Sequence, residues 1–333
     1  MALPDFLVTG APKAGTTALH AALARHPSLY LSPVKEPKFF LTDGPPPARG
    51  GGPGDAATYR EHVWRRADYE ALFSGAPPGA LCGESTPFYL YDRLAHRRIR
   101  DLIPAARLIV VLRDPVERAH SNWAHLRSAG LEPIGDFVSA CAAEDQRVAA
   151  GWAHFWHYLR LSRYGEQLDH LYTVFPRDQV HILRYRLLVH EPARALDSIC
   201  EFLGVPAGLI TEVPRENVTI HPPRSLRHTA ASQAMRAASA AGQYLPAALA
   251  SAITSPLERV LQQDRRQRQP LTWEERQAVL PLLENDNRLL EKVTERDFSD
   301  WLGPKLRSGG LVGDRPAGQR QARNGQPRPA ASS

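Results

Sequence analysis

Residues 6–19, Phe-Leu-Val-Thr-Gly-Ala-Pro-Lys-Ala-Gly-Thr-Thr-Ala-Leu, constrain this chain more than any other stretch. The apolar run from Phe6 to Val8 predicts a buried strand. It breaks at Gly10, crosses a loop of small residues and opens an Ala/Leu-rich helix at Thr16. Strand, Gly-rich turn and helix start in that order make a phosphate cradle. Small residues let backbone N–H groups turn inward, and the helix N-terminus contributes roughly half a positive charge.

The position of the lysine refines this reading. A nucleoside-triphosphatase loop reads G-x-x-x-x-G-K-[ST], with Lys directly after the second Gly. Gly10 and Gly15 keep that spacing, but Thr16 follows Gly15 and the lysine sits inside the loop as Lys13. The glycine spacing alone also fits a plain strand-to-helix turn. A cation with two hydroxyls, Thr16 and Thr17, at a helix start points instead to an oxyanion whose chemistry differs from that of a triphosphate.

The 333 residues suffice for one large α/β domain or two small ones. The net charge of +6 invites a nucleic-acid reading, but from Gly303 onwards six basic residues face one acid. The first 302 residues therefore carry only +1, and no nucleic-acid partner is expected. Cys82, Cys141 and Cys200 are odd in number, far apart and in no metal-like pair, which predicts buried thiols in a reducing cytoplasm. No basic region precedes the first apolar run, and no stretch approaches the ~18 consecutive apolar residues of a spanning helix. The expectation is a soluble cytoplasmic protein with no membrane segment.

Along the chain, Ser28 to Leu31 predicts a second short strand, and Tyr59 to Phe73 a helix. Between them Gly44-Pro-Pro-Pro-Ala-Arg-Gly-Gly-Gly-Pro-Gly54 excludes both, and a loop this long is functional or disordered. We expect it to be a mobile cover. Ala80 to Gly83 is a brief apolar run, and Arg107 to Leu112 is the clearest buried strand. Asp114-Pro115 signals a helix start, with Asp as cap and Pro in the first turn. Helices are expected over much of 133–175, a strand at Val180 to Leu183, and a helix from Pro192 to Leu203 ending at Gly204. Region 229–296 shows helical periodicity interrupted by Pro246, Pro256, Pro270 and Pro281. Strands alternating with helices predict an α/β fold with a central parallel sheet flanked by helices. One domain would occupy 1–302, followed by a Gly/Pro-rich basic tail over 303–333 that reads as disordered.

A second candidate site begins where the best strand ends, at Arg113-Asp-Pro-Val-Glu-Arg-Ala-His-Ser121. Ligands of open α/β sheets bind at the carboxyl ends of strands, and Arg offers a fork of donors suited to phosphate. Ser121 lies about two helical turns on and can share a face with the helix start. Two other readings stand beside this one. Arg113 can pair with Asp114 or Glu117 at the helix entrance, or Asp114 can serve as the magnesium aspartate of a nucleotidase strand. Against the latter, Asp114 follows Arg113 and precedes Pro115, a better position for a cap.

Taken together, these segments resemble the sulfotransferases that use 3′-phosphoadenosine 5′-phosphosulfate (PAPS), in the motif style of the heparan-sulfate branch. The resemblance runs in order from about Phe6 to Gly204, and it implies the P-loop-like sulfotransferase fold. By that resemblance, Lys13 reaches the oxygen bridging phosphate and sulfate, and Lys13, Ala14, Gly15, Thr16, Thr17 and Ala18 hold the 5′-phosphosulfate. Arg113 and Ser121 hold the 3′-phosphate, while Arg224 and Ser225, in His221-Pro-Pro-Arg-Ser225, lie over the same side.

Lys35-Glu-Pro-Lys-Phe-Phe40 resembles the family's Lys-Glu-x-His-Phe-Phe, which makes Glu36 the base that deprotonates the acceptor. Desolvation by neighbouring rings would strengthen such a carboxylate as a base. Lys38 stands where the family has His, and with Phe40 it falls on the acceptor side. Glu84-Ser-Thr-Pro-Phe-Tyr resembles Glu-Lys-Ser/Thr-Pro-x-Tyr, with Ser85 in place of the family's Lys. Glu84 is then an acceptor-binding group, a second acid or base, or a buried structural carboxylate. Trp152, Phe155, Trp156 and Tyr158 either floor an acceptor pocket, Trp156 foremost, or pack the core at helical spacing. Arg186 stands where relatives are commonly acidic.

The reaction implied is sulfuryl transfer from PAPS to a hydroxyl of a small metabolite or sugar, with no metal required. The alternatives are a P-loop kinase, disfavoured by the missing Gly-Lys-Thr/Ser, and a non-catalytic nucleotide- or glycan-binding module.

Overall fold

Five short strands, β1 (Phe6–Gly10), β2 (Leu29–Leu31), β3 (Leu81–Ser85), β4 (Arg107–Leu112) and β5 (Val180–Arg184), pair in the order β2-β3-β1-β4-β5, all parallel. Phe6 lies opposite Gly83 on one side and Arg107 on the other. The chain therefore leaves β1 towards β2, returns to β3, and then crosses β1 to build β4 and β5. This reversal puts a topological switch point at the carboxyl end of β1, where open parallel sheets bind their ligands.

The computed structural model describes residues 3–214, 226–242, 254, 257 and 270–303. The helices are α1 (Thr16–Leu23), α2 (Asp55–Arg60), α3 (Arg66–Ala71), α4 (Arg93–Leu102), α5 (Pro115–Ser128), α6 (Phe137–Ala142), α7 (Glu144–Ala149), α8 (Tyr164–Val174), α9 (Tyr185–His190), α10 (Pro192–Leu203), α11 (Leu226–Gly242), α12 (Trp273–Val279) and α13 (Glu284–Thr294). A compact unit runs from Met1 to Leu302. Arg224, Ser225, Pro246, Pro256 and the tail from 304 onwards lie outside the described residues.

Burial explains the strand pattern. Leu108 to Leu112 and Phe6 to Val8 have no exposed surface, as expected of strands covered on both faces. Each such aliphatic or aromatic side chain contributes about 1.5–3 kcal/mol by leaving water. α1 packs on β1, β2 and β3, α10 on β5, and α4 on α8, which in turn meets α13. A second apolar cluster joins Val116, Trp123, Phe137, Trp156 and Val279, so α5 and α12 share a core. Cys82, Cys141 and Cys200 are buried and unbridged. Among the described residues no helix is long and apolar enough to cross a membrane.

Two expectations need correction. Tyr59 to Phe73 is not one helix but α2 and α3, separated at 61–65. There the Val63 N–H turns away to donate to the Pro37 carbonyl at 2.9 Å, and Glu61 pairs with Lys38. The 44–54 segment lacks regular structure, but its second half is pinned. A Cβ on Gly51 would lie 2.5 Å from the Trp152 ring, and one on Gly52 2.6 Å from the same ring. Asp55, fully buried, accepts from the N–H groups of Gly52 (2.8 Å) and Ala153 (3.0 Å) and from Trp156 Nε1 (2.9 Å).

Candidate active site

At the end of β1 the Ala11 N–H donates to the Val111 carbonyl at 2.8 Å, which turns the chain over the edge of β4. Gly15 is the N-cap of α1 with φ 84°, and no side chain caps the helix. A Cβ there would meet the Tyr185 ring at 2.9 Å, so the position needs glycine for both its conformation and its contact. The first-turn amides of α1 are thus left for an anion. Lys13 itself is left-handed at φ 66°, a conformation costing a non-glycine residue about 1–2 kcal/mol. Its amine is pulled down to about 8, first by burial and then by the Arg113 guanidinium, with Glu36 pulling the other way. Among the described residues no carboxylate closes an ion pair with it.

Arg113, at the carboxyl end of β4, is 7% exposed. Its Nη1 donates to the Lys13 carbonyl at 3.2 Å, and its guanidinium lies 5.0 Å from the centre of the Tyr185 ring. The expected competing pair with Glu117 is present but long, at 3.4 Å from Nε. Asp114 takes a different partner: its two oxygens accept from Arg276 Nη1 and Nη2 at 3.0 and 2.9 Å, while Oδ1 also caps α5 through the Glu117 N–H. This doubly engaged carboxylate is a cap and an anchor. Ser121 sits buried two turns into α5, and no hydrogen bond joins it to Arg113.

Across the switch point, residues 36–40 run along the end of β3. Glu36 and Lys38 are both left-handed, at φ 59° and 60°. Three of the four non-glycine residues with positive φ among those described are therefore Lys13, Glu36 and Lys38. Strain of this kind collects where a side chain must be aimed. The Glu36 N–H donates to the Ser85 carbonyl at 3.1 Å, the Lys38 N–H to Thr86 Oγ1 at 3.3 Å, and the Phe40 N–H to the Tyr89 hydroxyl at 3.4 Å. The neighbours of the Glu36 carboxylate are cationic rather than the expected rings: it pairs with Lys35 and feels Lys13. Phe40 is buried in the main core, edge-on to Tyr69 and Tyr89.

Glu84 lies beneath this segment with no exposed surface. Tyr69 donates to its Oε1 at 3.3 Å and Thr86 to its Oε2 at 2.9 Å. Burial pushes its carboxyl up to about 7, against the pull of the Tyr89, Thr86 and Tyr69 hydroxyls. Because Thr86 gives its proton to Glu84, its lone pairs are free to receive the Lys38 amide. Glu84 thus positions the segment that carries Glu36, and direct contact with an acceptor is closed to it in this conformation.

Trp156 is likewise fully buried, with Nε1 committed to Asp55, and Tyr158 donates to Glu132 at 2.5 Å. Arg147 joins Glu132 in a two-pronged pair at 2.8 Å and lies over the Trp152, Trp156 and Tyr158 rings. This part of the aromatic cluster packs the core. Phe155 differs, since it lines a cavity of about 230 Å³ together with Lys38, Tyr59, His62 and Phe88.

Two residues near the site carried no expectation. Tyr185 touches both the Gly15 position and Arg113; its place just past β5, at the ligand-binding edge of the sheet, is the signal that could have found it. His20, one turn beyond Thr16 on α1, pairs through Nδ1 with Ser85 Oγ at 2.9 Å. Burial first, then Lys35, brings its imidazole down to about 4, so it is neutral at physiological pH. Arg186 is exposed and pairs with Asp300 at 3.7 Å.

A lysine-bearing, cradle-shaped loop at the switch point of a parallel sheet, cross-tied to an arginine on the neighbouring strand, defines a P-loop-like α/β protein. Within that class the chain belongs to the sulfotransferase family, whose sequence profile matches residues 4–208. It is 29% identical over 204 residues to human heparan sulfate glucosamine 3-O-sulfotransferase 6, covering 61% of this chain and 52% of that protein. Identity to human heparan sulfate glucosamine 3-O-sulfotransferase 3B1 is 30% over 203 residues, covering 61% and 46%. The chain thus spans about half the length of these relatives. Among solved structures, a sulfotransferase from Alicyclobacillus acidocaldarius superposes with a TM-score of 0.70 at 25% identity, covering 90% of this chain and 99% of that one. Family membership sets the kinase reading aside.

Proposed function

We propose that this chain transfers a sulfuryl group from PAPS to a neutral hydroxyl acceptor and releases adenosine 3′,5′-bisphosphate. The observation that carries the proposal is the convergence of Lys13, Arg113 and Glu36 at the carboxyl ends of β1, β4 and β3. PAPS supplies the activated sulfuryl group; every other task falls to side chains of this chain. The amides of residues 14–18 and the Thr16 and Thr17 hydroxyls hold the 5′-phosphosulfate. Arg113, with Ser121, grips the 3′-phosphate. Glu36 takes the acceptor proton as the new O–S bond forms, and Lys13 stabilises the phosphate oxygen freed as the old S–O bond breaks. A fixed cation in a site of low dielectric is well suited to that charge.

Three buried, unbridged cysteines support a cytoplasmic setting. The test is bisphosphate release from PAPS against a panel of alcohols, phenols and sugars, alongside calorimetry with the bisphosphate. Release with at least one acceptor is expected. Tight bisphosphate binding with no release for any acceptor would favour a non-catalytic binding module.

A further inference from the structure

The cavity beside Lys38 has a lining that selects its occupant. Lys38 follows Glu36 by two positions, a reach of at most ~7 Å of chain, so the Lys38 wall of the cavity lies a short span of backbone from the base. Tyr59, Phe88 and Phe155 give it aromatic walls, and Leu41 and Pro47 extend its apolar surface. Its charges are already spent. Lys38 pairs with Glu61, and Asp92 caps α4 by accepting from the Leu94 and Ala95 N–H groups at 2.8 and 3.0 Å. Burial also keeps the His62 and His154 imidazoles neutral. A chain of sulfates and carboxylates would find no unspent cation here. A hexose would bring several hydroxyls to walls with few polar partners, each costly to bury unpaired. His62 lines the cavity, and its Nδ1, turned into the protein and closed to solvent, has no hydrogen-bond partner there. The volume, about 230 Å³, equals roughly eight waters at ~30 Å³ each, the size of a one- or two-ring molecule.

We infer that this cavity holds the acceptor, that the acceptor is a neutral apolar ring compound carrying a single hydroxyl, and that the His62 imidazole, turned so that its unpaired Nδ1 faces the cavity, is its polar anchor. The inference rests on the sulfuryl-transfer reading for the fate of that hydroxyl, but the binding itself can be measured without turnover.

The probe is 2-naphthol, followed by its fluorescence with adenosine 3′,5′-bisphosphate present, with naphthalene and methyl β-glucoside as comparisons. Thr58 lines the cavity and is partly exposed, so Thr58→Trp fills the space without entering the core. It should weaken 2-naphthol binding at least tenfold and leave bisphosphate affinity unchanged. His62→Ala should weaken 2-naphthol roughly three- to tenfold, the scale of one hydrogen bond, and leave naphthalene alone. Methyl β-glucoside binding more tightly than 2-naphthol, or 2-naphthol indifferent to both variants, overturns the assignment. Bisphosphate release with other acceptors but never with 2-naphthol overturns it too, while sparing sulfuryl transfer. Binding of both molecules with no release for any acceptor overturns the transfer, and the acceptor role falls with it.

Discussion

Arg113 donates from Nη1 to the main-chain oxygen of Lys13 at 3.2 Å, so the group assigned to the 3′-phosphate and the group assigned to the leaving phosphate move together. That bond ties the end of β4 to the cradle after β1. It also places the Arg113 guanidinium close enough to oppose the charge on the Lys13 amine. The site therefore carries an electrostatic cost that the proposed phosphate ligand would relieve.

Arg113→Ala should cost about 1.5–3 kcal/mol of bisphosphate binding, the scale of hydrogen bonds to a charged group. The same change should hardly affect AMP, which lacks the 3′-phosphate. Calorimetry showing equal losses for both ligands would remove Arg113 from the 3′-phosphate.

The lowered amine of Lys13 sets a pH dependence. In the proposed role bisphosphate binding uses the protonated amine, which in the free protein predominates below about 8 and is lost above it. Affinity should therefore fall as pH rises through about 8. Lys13→Arg, which stays charged, should flatten the fall. An unchanged slope in that variant would assign the titration to another group.

Glu84 sets a pH dependence of folding stability. Its carboxyl is raised from 4.5 to about 7 in the folded protein, so the folded state holds its proton more tightly than the unfolded chain does. The stability this contributes is complete below 4.5 and is lost as pH rises through about 7. Glu84→Gln should remove that slope from denaturation curves, a difference of at most about 3 kcal/mol across the window. Because the amide cannot take the Thr86 and Tyr69 protons in the same way, turnover should fall while bisphosphate affinity holds.

Glu36→Gln should fold, bind PAPS normally and lose at least ~100-fold in turnover, the lower range for a general base. Nitrophenols, whose hydroxyls are more acidic, should recover much of the loss. Lys13→Ala should not be rescued in this way, since it acts on the leaving oxygen. Near-normal turnover of Glu36→Gln on an unactivated alcohol would show that another group takes the proton.

What the sequence made legible was local. Lys13, Thr16 and Arg113 each sit within a few residues of a strand end, and a strand followed by its turn and helix is a pattern of near neighbours. β1 and β4 read cleanly because burial on both faces leaves an unbroken apolar run. The break at 61–65 was illegible, since Val63 abandons the helix for Pro37, far away in the chain. So was the burial of Asp55, whose partners include Ala153 and Trp156 from a distant loop; for Glu84 a buried carboxylate was one of the open readings, and Tyr69 and Thr86 decide for it. The left-handed backbone at Glu36 also has no signature in residue type. It is imposed by Ser85, Thr86 and Tyr89 through the amides they receive.

The longest of these dependencies offers the last test. Arg276 on α12, 162 residues from Asp114 and beyond the segment that matches the family, is 4% exposed and gives both terminal nitrogens to that carboxylate. Asp114 adjoins Arg113 in sequence. If Arg276 is removed, a buried carboxylate loses its countercharge beside the arginine meant for phosphate. Arg276→Met should cost about 3–5 kcal/mol of folding stability, as expected when one partner of a buried pair is deleted. It should also weaken bisphosphate binding, because the uncompensated Asp114 draws on Arg113. Adding Asp114→Asn keeps the cap of α5, Asn serving there as well as Asp, and removes the stray charge. The double variant should regain most of the stability and the affinity in denaturation and calorimetry. If the single and double variants bind bisphosphate equally poorly, Arg276 shapes the site through packing and not through Asp114.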